Sequence, residues 1–328
     1  MAAVRAEPDR GDEKMPRLSL GTALAVAFLS SPAAAEQISV THWGVQMYGA
    51  PYAVAMAKGY FKESGVDIDG ILTSKGGGTT MRNVLASGLP YGEVAVSAAV
   101  AASRAGINVR IVNGGVVTVG EILWVTMPDS PVKTIKDLQG RKIGYTSPKS
   151  ITDMLTIMAF QAQGLPLDKV QRVAVGGIGA QLTALQQGGI DAAFMSEPIW
   201  TKEKGKYRPV FYVKDVLPSR MTQTVGVTTA EFARSNPEKV RAIVAARRKG
   251  VDFIYANPKE ASAIVAKEYG MDGKIVEESL ANLIALKYWS AGELDIDGMN
   301  AMVKGLQLVG DISGPVDWNA LIDRSFLK

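Results

Sequence analysis

The chain alternates short apolar runs with amphipathic segments of helical length. Residues 37–41 alternate in polarity, which predicts a strand, and apolar residues recur at helical spacing over 51–62, which predicts a helix. Further strands are predicted at 66–72, 94–96, 108–113, 122–127, 142–145, 170–175 and 190–194, with helices at 98–105 and 152–163. Strands separated by helices indicate an α/β protein whose mostly parallel sheet is covered on both faces.

From residue 236 onward the pattern is helical. Asn236-Pro237 and Asn257-Pro258 each place a capping residue before a first-turn proline, which predicts two successive helices, with two more near 275–286 and 299–309. Few strands remain for a third core, so we expect this tail to pack back on the first of two lobes. The chain then crosses between two lobes near Trp124 and Gln223. We expect lobe one to comprise residues 36–124 plus 223–328, and lobe two residues 125–222.

One phrase of the chain recurs one hundred residues later. Each copy holds a glycine-rich loop, an amphipathic helix and a buried strand. Gly76, Gly77, Leu85 and Gly88 match Gly176, Gly177, Leu185 and Gly188. A helix N-terminus offers unpaired backbone N–H groups, and glycine lets a ligand approach them closely. We therefore expect the two loops to face one ligand cleft between the lobes.

Residues 1–35 have the layout of a secretory signal peptide. Lys14 and Arg17 precede an apolar run over 18–29, and Ala33-Ala34-Ala35 forms an A-x-A cleavage site before Glu36. The run is too short to span a membrane comfortably, so we expect a removed leader and a periplasmic protein that is not membrane-embedded. The chain has no cysteine, which excludes a lipid-acceptor cysteine, iron–sulfur clusters and thiolate zinc sites.

Composition narrows the function classes further. With 47% hydrophobic and 21% charged residues the chain is globular, and a net charge of +4 without a concentrated basic patch argues against a nucleic-acid partner. His42 is the single histidine, and no second histidine completes a metal or catalytic constellation. No nucleophile–base pair or Walker loop is recognisable. We expect no catalytic residue, metal or cofactor.

Five phrases of the sequence carry a family resemblance. They are GYFKESGVDI, GGGTTMRNVLASG, PVKTIKDLQGRKIGY, GGIGAQLTALQQGGIDAAFMSEP and NPEKVRAIVAARRKGVDFIYANPKEA. In this order they resemble the periplasmic solute-binding proteins of ABC transporters for nitrate, sulfonates, taurine and thiamine-pyrimidine precursors. The resemblance implies a type II periplasmic binding fold with two α/β lobes, a hinge and a ligand cleft between them. It also implies a monomer that binds a small polar or anionic organic solute and delivers it to an ABC permease and its ATPase.

Candidate ligand contacts lie in the loops that follow the predicted strands. In lobe one they are Trp43, Gln46, Tyr48, Gly77, Gly78, Thr79, Arg82, Ser97 and Ala98. In lobe two they are Ser147, Lys149, Ser150, Gly179, Ser196 and Glu197.

Several of these residues also have a structural explanation. Trp43 and Tyr48 are suited to stacking on a flat ligand, or to packing on their own lobe. Arg82 is suited to an anion. Glu197 either accepts a hydrogen bond from the ligand or favours its own helix N-terminus. Ser150 has capping-box spacing with Asp153. The cluster of Arg241, Arg247, Arg248 and Lys249 is expected to be a solvated helix face.

Two competing hypotheses remain open. A solute sensor that reports to a membrane kinase has the same sequence features as a transport receptor. An enzyme similar to the pyrimidine-precursor synthases of this fold is the other, although the cysteine-rich motif of that relative has no counterpart here.

Overall fold

The structure, a computed structural model, describes residues 36–327, and the predicted signal peptide lies outside them. Its strands are β1 (Glu36–Thr41), β2 (Ile68–Ser74), β3 (Tyr91–Ala95), β4 (Val109–Gly114), β5 (Leu123–Thr126), β6 (Lys142–Tyr145), β7 (Gln171–Ala174), β8 (Ala193–Met195), β9 (Arg208–Tyr212) and β10 (Thr224–Thr229).

The helices range from single turns to one of 20 residues. They are α1 (Ala50–Ala57), α2 (Tyr60–Glu63), α3 (Gly77–Ala86), α4 (Val96–Arg104), α5 (Ile151–Ala162), α6 (Ile178–Gln186), α7 (Ile199–Glu203), α8 (Val213–Val216), α9 (Ala230–Ser235), α10 (Pro237–Ala256), α11 (Pro258–Tyr269), α12 (Gly273–Ala285), α13 (Ile296–Leu308) and α14 (Trp318–Leu321).

The strands form three sheets. The first has the order β2-β1-β3-β10-β4, the second β8-β5-β9, and β6 pairs with β7. β1 is parallel to β2 and β3, and β6 is parallel to β7. In contrast, β10 is antiparallel to β3 and β4, and β5 is antiparallel to β8 and β9. Because β3 and β4 are both antiparallel to β10, and β8 and β9 both antiparallel to β5, all strands other than β5 and β10 run in a common direction within their sheets. The prediction of mostly parallel strands is therefore confirmed, and what it missed is the reversal of β5 and β10. β5 is the first strand after the chain leaves the first sheet, and β10 is the first strand after it returns. Each of them runs opposite to its neighbours in the sheet.

Two connecting segments, residues 115–122 and 217–223, run side by side between the first sheet and the others. The Val119 amide donates to the Ser219 carbonyl oxygen at 2.8 Å, and the Gln223 amide donates to the Val116 carbonyl oxygen at 2.7 Å. We call these two segments the crossovers. Their mutual hydrogen bonds make them one double-stranded connection rather than two independent linkers.

The C-terminal helices contact both parts of the fold. α10 packs on α1 at Gly250, where a Cβ would lie 2.2 Å from the Pro51 carbonyl oxygen. α13 packs on α5 at Gly305, where a Cβ would lie 2.8 Å from the Met154 sulfur, and α12 packs on α7. The tail therefore packs on α1, from residues 36–124, and also on α5 and α7, from residues 125–222, so the expectation that it packs on the first lobe is incomplete.

Arg247 corrects the expectation of a solvated basic face on α10. Its side chain is 1% exposed, and its Nε donates to the Glu93 carboxylate at 2.8 Å. Its Nη1 donates to the Ser290 carbonyl oxygen at 2.8 Å. Lys249 does lie at the surface, where it pairs with Glu63. A buried pair of this kind ties α10 to the middle of the first sheet, and removing one partner leaves a costly unpaired charge.

The predicted helix starts are confirmed, but not all of the predicted caps. Pro237 and Pro258 do begin helices, whereas the side chains of Asn236 and Asn257 make no capping hydrogen bond. The capping box at Thr134 is present and opens a short 3₁₀ turn, Ile135–Leu138.

Candidate ligand-binding site

The first wall of the site follows β1. The chain turns at His42, whose backbone φ is 55°, and the amides of Val45 and Gln46 both donate to the His42 carbonyl oxygen. After this turn Gln46 and Tyr48 are buried. Burial lowers the pKa of His42 to about 4, so its imidazole is neutral at physiological pH.

The start of α3 completes the first wall. Gly77 is packed so closely that a Cβ would lie 2.7 Å from the Ala95 Cβ. Beside it the hydroxyls of Thr41 and Thr80 lie 2.6 Å apart, and Thr80 also donates to the Gly76 carbonyl oxygen at 3.0 Å. Glycine at position 77 is thus required by packing, and it leaves the first backbone N–H groups of α3 uncovered by a side chain.

The second wall is formed by the start of α5 with the loop after β6, and by Ser196, which follows β8. Ser150 caps this helix, because its Oγ accepts a hydrogen bond from the Asp153 amide at 3.2 Å. The Asp153 carboxylate accepts the Lys149 amide at 2.9 Å and pairs with Arg172 at 2.5 Å. A carboxylate therefore already occupies the positive end of the α5 dipole.

A cavity of about 10 Å³ lies between the walls, enough for about one water molecule. The walls also touch directly. Gln46 Nε2 donates to Ser196 Oγ at 3.2 Å, and Ser97 Oγ donates to the Lys149 carbonyl oxygen at 2.8 Å. The cavity is lined by Thr41, His42, Gln46, Tyr48, Gly76, Gly77, Thr146, Ser150, Ile151, Thr152 and Phe194.

Two buried polar atoms on these walls have no hydrogen-bond partner among the described residues: Gln46 Oε1 and Ser147 Oγ. Ser147 Oγ lies 2.7 Å from the position a Cβ would take on Gly76, so it faces the first wall. A buried polar atom without a partner costs about 1–3 kcal/mol. A ligand that bonded to either atom would recover part of that cost.

The structure brings some of the predicted contacts to the cavity. Gln46, Tyr48, Gly77 and Ser150 line it. Others lie beside it in contacts between the walls or in the packing of the walls themselves. These are Ser97, Ala98, Ser147 and Ser196.

The remaining predicted contacts lie away from the cavity lining. Arg82 is exposed and its Nη2 donates to Thr79 Oγ1 at 3.3 Å. Trp43 packs edge-on against the ring of Tyr269, with 4.9 Å between centroids, as a lid on its own part of the fold. Gly78 has open space around it, and the exposed Lys149 pairs with Asp311 at 3.5 Å.

Within residues 36–327, the glycine loop and the helix of the second copy contribute no residue to the lining, and the strand of that copy contributes Phe194. Gly179 is exposed, and the Gly176 carbonyl oxygen accepts a hydrogen bond from Gln181 Nε2 at 2.9 Å. Only the first of the two glycine loops therefore reaches this cavity.

Glu197 is buried, and its carboxylate is bonded by neutral groups. Asn282 Nδ2 donates to one oxygen at 3.0 Å, and Ser279 Oγ and the Thr201 amide donate to the other at 3.2 and 3.3 Å. Of the two roles weighed for Glu197, the bond to its own helix start is present, together with bonds to α12.

The crossovers add two buried polar residues near the site, Glu121 and Gln223. The local sequence does not indicate a role for either one, because they come together only where the two distant segments meet. Tyr48 Oη donates to Gln223 Oε1 at 2.7 Å, and Gln223 Nε2 donates to Glu121 Oε1 at 2.7 Å. Burial raises the pKa of Glu121 to about 7, against the effect of hydrogen bonds from Gln223 and Tyr288. The predicted set also lacks Thr146, which lines the cavity. The sequence could have indicated this residue, since it lies at the end of a predicted strand.

Two further properties of the described residues bear on function. No helix within 36–327 combines the length and the apolar character needed to cross a membrane. In the same range, no three His, Asp or Glu side chains are grouped to hold a metal ion.

The fold is that of the periplasmic binding proteins. The structure aligns with the aliphatic sulphonate binding protein SsuA of Escherichia coli at a TM-score of 0.70, covering 90% of this chain and 93% of that one at 16% identity. The chain belongs to the NMT1/THI5 like family, whose profile matches residues 46–261.

Curated relatives include both binding proteins and an enzyme. A Brucella abortus protein named as a binding protein is 26% identical over 315 residues, covering 92% of this chain and 95% of the relative. The 4-amino-5-hydroxymethyl-2-methylpyrimidine phosphate synthase of Aspergillus parasiticus is 26% identical over 245 residues, covering 68% of this chain and 67% of the enzyme.

Proposed function

We propose that this protein is the extracytoplasmic solute receptor of an ABC importer, which binds a small polar organic solute and delivers it to a membrane permease and its ATPase. The observation that carries the proposal is the cavity between the two walls. One wall comes from loops of the first sheet, the other from loops around β6 and β8, and Gln46 bonds to Ser196 across the gap.

The proposed mechanism is closure of two lobes around the solute. A cavity of about 10 Å³ is too small for an organic molecule, so a solute enters only after the walls separate. We propose that residues 36–124 plus 223–328 form lobe one and 125–222 lobe two, with the crossovers as the hinge. Closure then removes the solute from water and completes its hydrogen bonds.

The choice of a polar organic solute over a simple anion follows from the side chains present. Arg82, the cation expected to bind an anion, is exposed and away from the lining. Tyr48 and Phe194 supply aromatic surface for a carbon skeleton, and threonine and serine hydroxyls supply polar contacts.

Solute binding is tested with the purified chain from Glu36 onward. We expect a monomer by light scattering, and a raised melting temperature with a member of a panel of sulfonates, nitrate, aromatic acids, ureas and pyrimidines. Small-angle scattering should then show a smaller radius of gyration with that compound. Gln46→Ala should abolish the stabilisation, whereas Gln187→Ala, at an exposed helix end, should retain it. Failure of every panel member and of a whole metabolite extract to stabilise the chain would refute the proposal.

Periplasmic localisation is part of the same proposal, with residues 1–35 as a removed signal peptide. Full-length chain expressed in a Gram-negative host should be released by osmotic shock with Glu36 at its N-terminus. Mass spectrometry of the released protein measures this directly, and an intact leader in the cytoplasmic fraction would contradict it.

A synthase activity is the competing function, favoured by the similarity to the Aspergillus parasiticus enzyme. We propose binding without turnover, because the likeness to the Brucella abortus binding protein covers more of the chain. A compound recovered chemically unchanged after long incubation with the protein supports a receptor. A product in stoichiometric or greater amount would instead support the enzyme.

A further inference from the structure

The orientation of the buried Gln223 side-chain amide determines whether Tyr48 acts as a hydrogen-bond donor or acceptor. Gln223 Nε2 lies against two acceptors, the Thr118 carbonyl oxygen and Glu121 Oε1. A carbonyl oxygen only accepts, so the amide nitrogen must face it and Gln223 Oε1 must face Tyr48. The Tyr48 hydroxyl therefore gives its single proton to Gln223, at 2.7 Å. With its proton given to Gln223, the Tyr48 hydroxyl can only accept a hydrogen bond from any further partner.

Gln46 adds a second acceptor on the same wall. Its Nε2 donates to Ser196 Oγ at 3.2 Å, and its Oε1 is buried without a partner among the described residues. Both Gln46 and Tyr48 line the cavity. This wall is thus matched to a ligand that donates hydrogen bonds.

The charges around the cavity have the same sign. Glu121 lies directly behind the Tyr48–Gln223 bond, and Glu197 lies near enough to raise its pKa further. Neither carboxylate belongs to a salt bridge within the described part of the chain. His42, the one basic side chain in the lining, is neutral because it is buried. The two carboxylates near the cavity therefore have no directly paired cation among the described residues.

The helix starts do not reverse this preference. Asp153 already occupies the positive end of α5, through the Lys149 amide and the pair with Arg172. The start of α3 remains uncovered, and it is suited to a polar group at the opposite end of the solute.

We propose that the cleft selects an organic solute through a cationic nitrogen that donates hydrogen bonds to Gln46 and Tyr48, and that Glu121 is the positioning residue that sets this preference. The inference rests on the proposed function and sharpens it, because it excludes solutes whose only charge is negative. The Glu121 carboxylate acts through Gln223 and Tyr48 as well as by its own field.

The charge of the solute can be tested before its identity is established. A metabolite extract is passed over a strong cation exchanger at acidic pH, which retains amines, amidines and amino-heterocycles and passes simple anions. We expect only the retained fraction to raise the melting temperature of the chain from Glu36 onward. Stabilisation by the unretained fraction, alone or equally, overturns the cationic preference and leaves solute binding intact. Stabilisation by neither fraction overturns solute binding itself.

Three variants then test Glu121. At a pH above 7, where the carboxylate is ionised, Glu121→Gln should weaken binding of the retained fraction about tenfold by calorimetric titration. Glu121→Asp should recover part of the loss, since it restores the charge. Glu268→Gln, the same substitution at an exposed position, should bind as the unmodified chain does. Equal binding by Glu121→Gln and Glu268→Gln would remove Glu121 from the proposal.

Discussion

Glu121 predicts a dependence of stability on pH that a single substitution removes. Burial raises its pKa from 4.5 to about 7 in the folded chain. A carboxyl group whose folded pKa is raised favours folding when protonated, so its contribution is present at low pH and is lost as the pH rises through this window. At 1.36 kcal/mol per pKa unit, the loss is about 3 kcal/mol.

Glu121→Gln keeps the size of the side chain and removes the charge. The new amide oxygen accepts the Gln223 hydrogen bond in place of Oε1, so packing is conserved. Relative to the unmodified chain, the variant should gain about 2–3 kcal/mol in stability between about pH 5 and about pH 8, because the unmodified chain loses this amount over that interval. Urea denaturation followed by tryptophan fluorescence at both values measures this, with Glu268→Gln as the control. The same difference between variant and unmodified chain at both pH values would refute the reasoning.

Four further substitutions, one of them a control, test the packing and hydrogen bonds around the site. Glu93→Gln leaves Arg247 buried without its counter-charge and should cost about 3–5 kcal/mol in urea denaturation; a cost below about 1 kcal/mol would show the pair to be dispensable. Gly77→Ala should lower the melting temperature, because its methyl group meets Ala95, at a cost of about 1–3 kcal/mol. Gly78→Ala, in open space one residue later, should be neutral or stabilise by up to about 1 kcal/mol, and equal effects at the two positions would contradict the packing argument. Ser150→Ala should cost about 1 kcal/mol through loss of the α5 cap, and an unchanged melting curve would contradict it.

Local patterns predicted the elements well. The start of α5 at Ile151, the capping box at Thr134 and the proline-led helices α10 and α11 all follow from residues within a turn or two of each other. Such features depend on backbone groups and side chains that are neighbours in the chain, so the sequence displays them directly.

The failures share a different origin. The antiparallel direction of β5 and β10 depends on where the chain re-enters each sheet, and the burial of Arg247 depends on Glu93, more than one hundred residues away. Gly177 carries the same local signal as Gly77 in the repeated phrase, yet only Gly77 lines the cavity. These features arise from contacts between distant segments, which periodicity and spacing do not encode.

The position of β10 constrains the order in which the molecule can be assembled. β10 lies between β3 and β4, although both of those strands precede it by more than one hundred residues. As the chain emerges from the ribosome, β3 and β4 must wait with unpaired edges until β10 has been made. The sheet formed by β5, β8 and β9 uses one continuous stretch and can be completed earlier. β10, which directly follows Gln223, is therefore the last strand to be inserted into the first sheet. Its insertion also aligns the second crossover beside the first. Both events thus belong to one late, long-range step of folding.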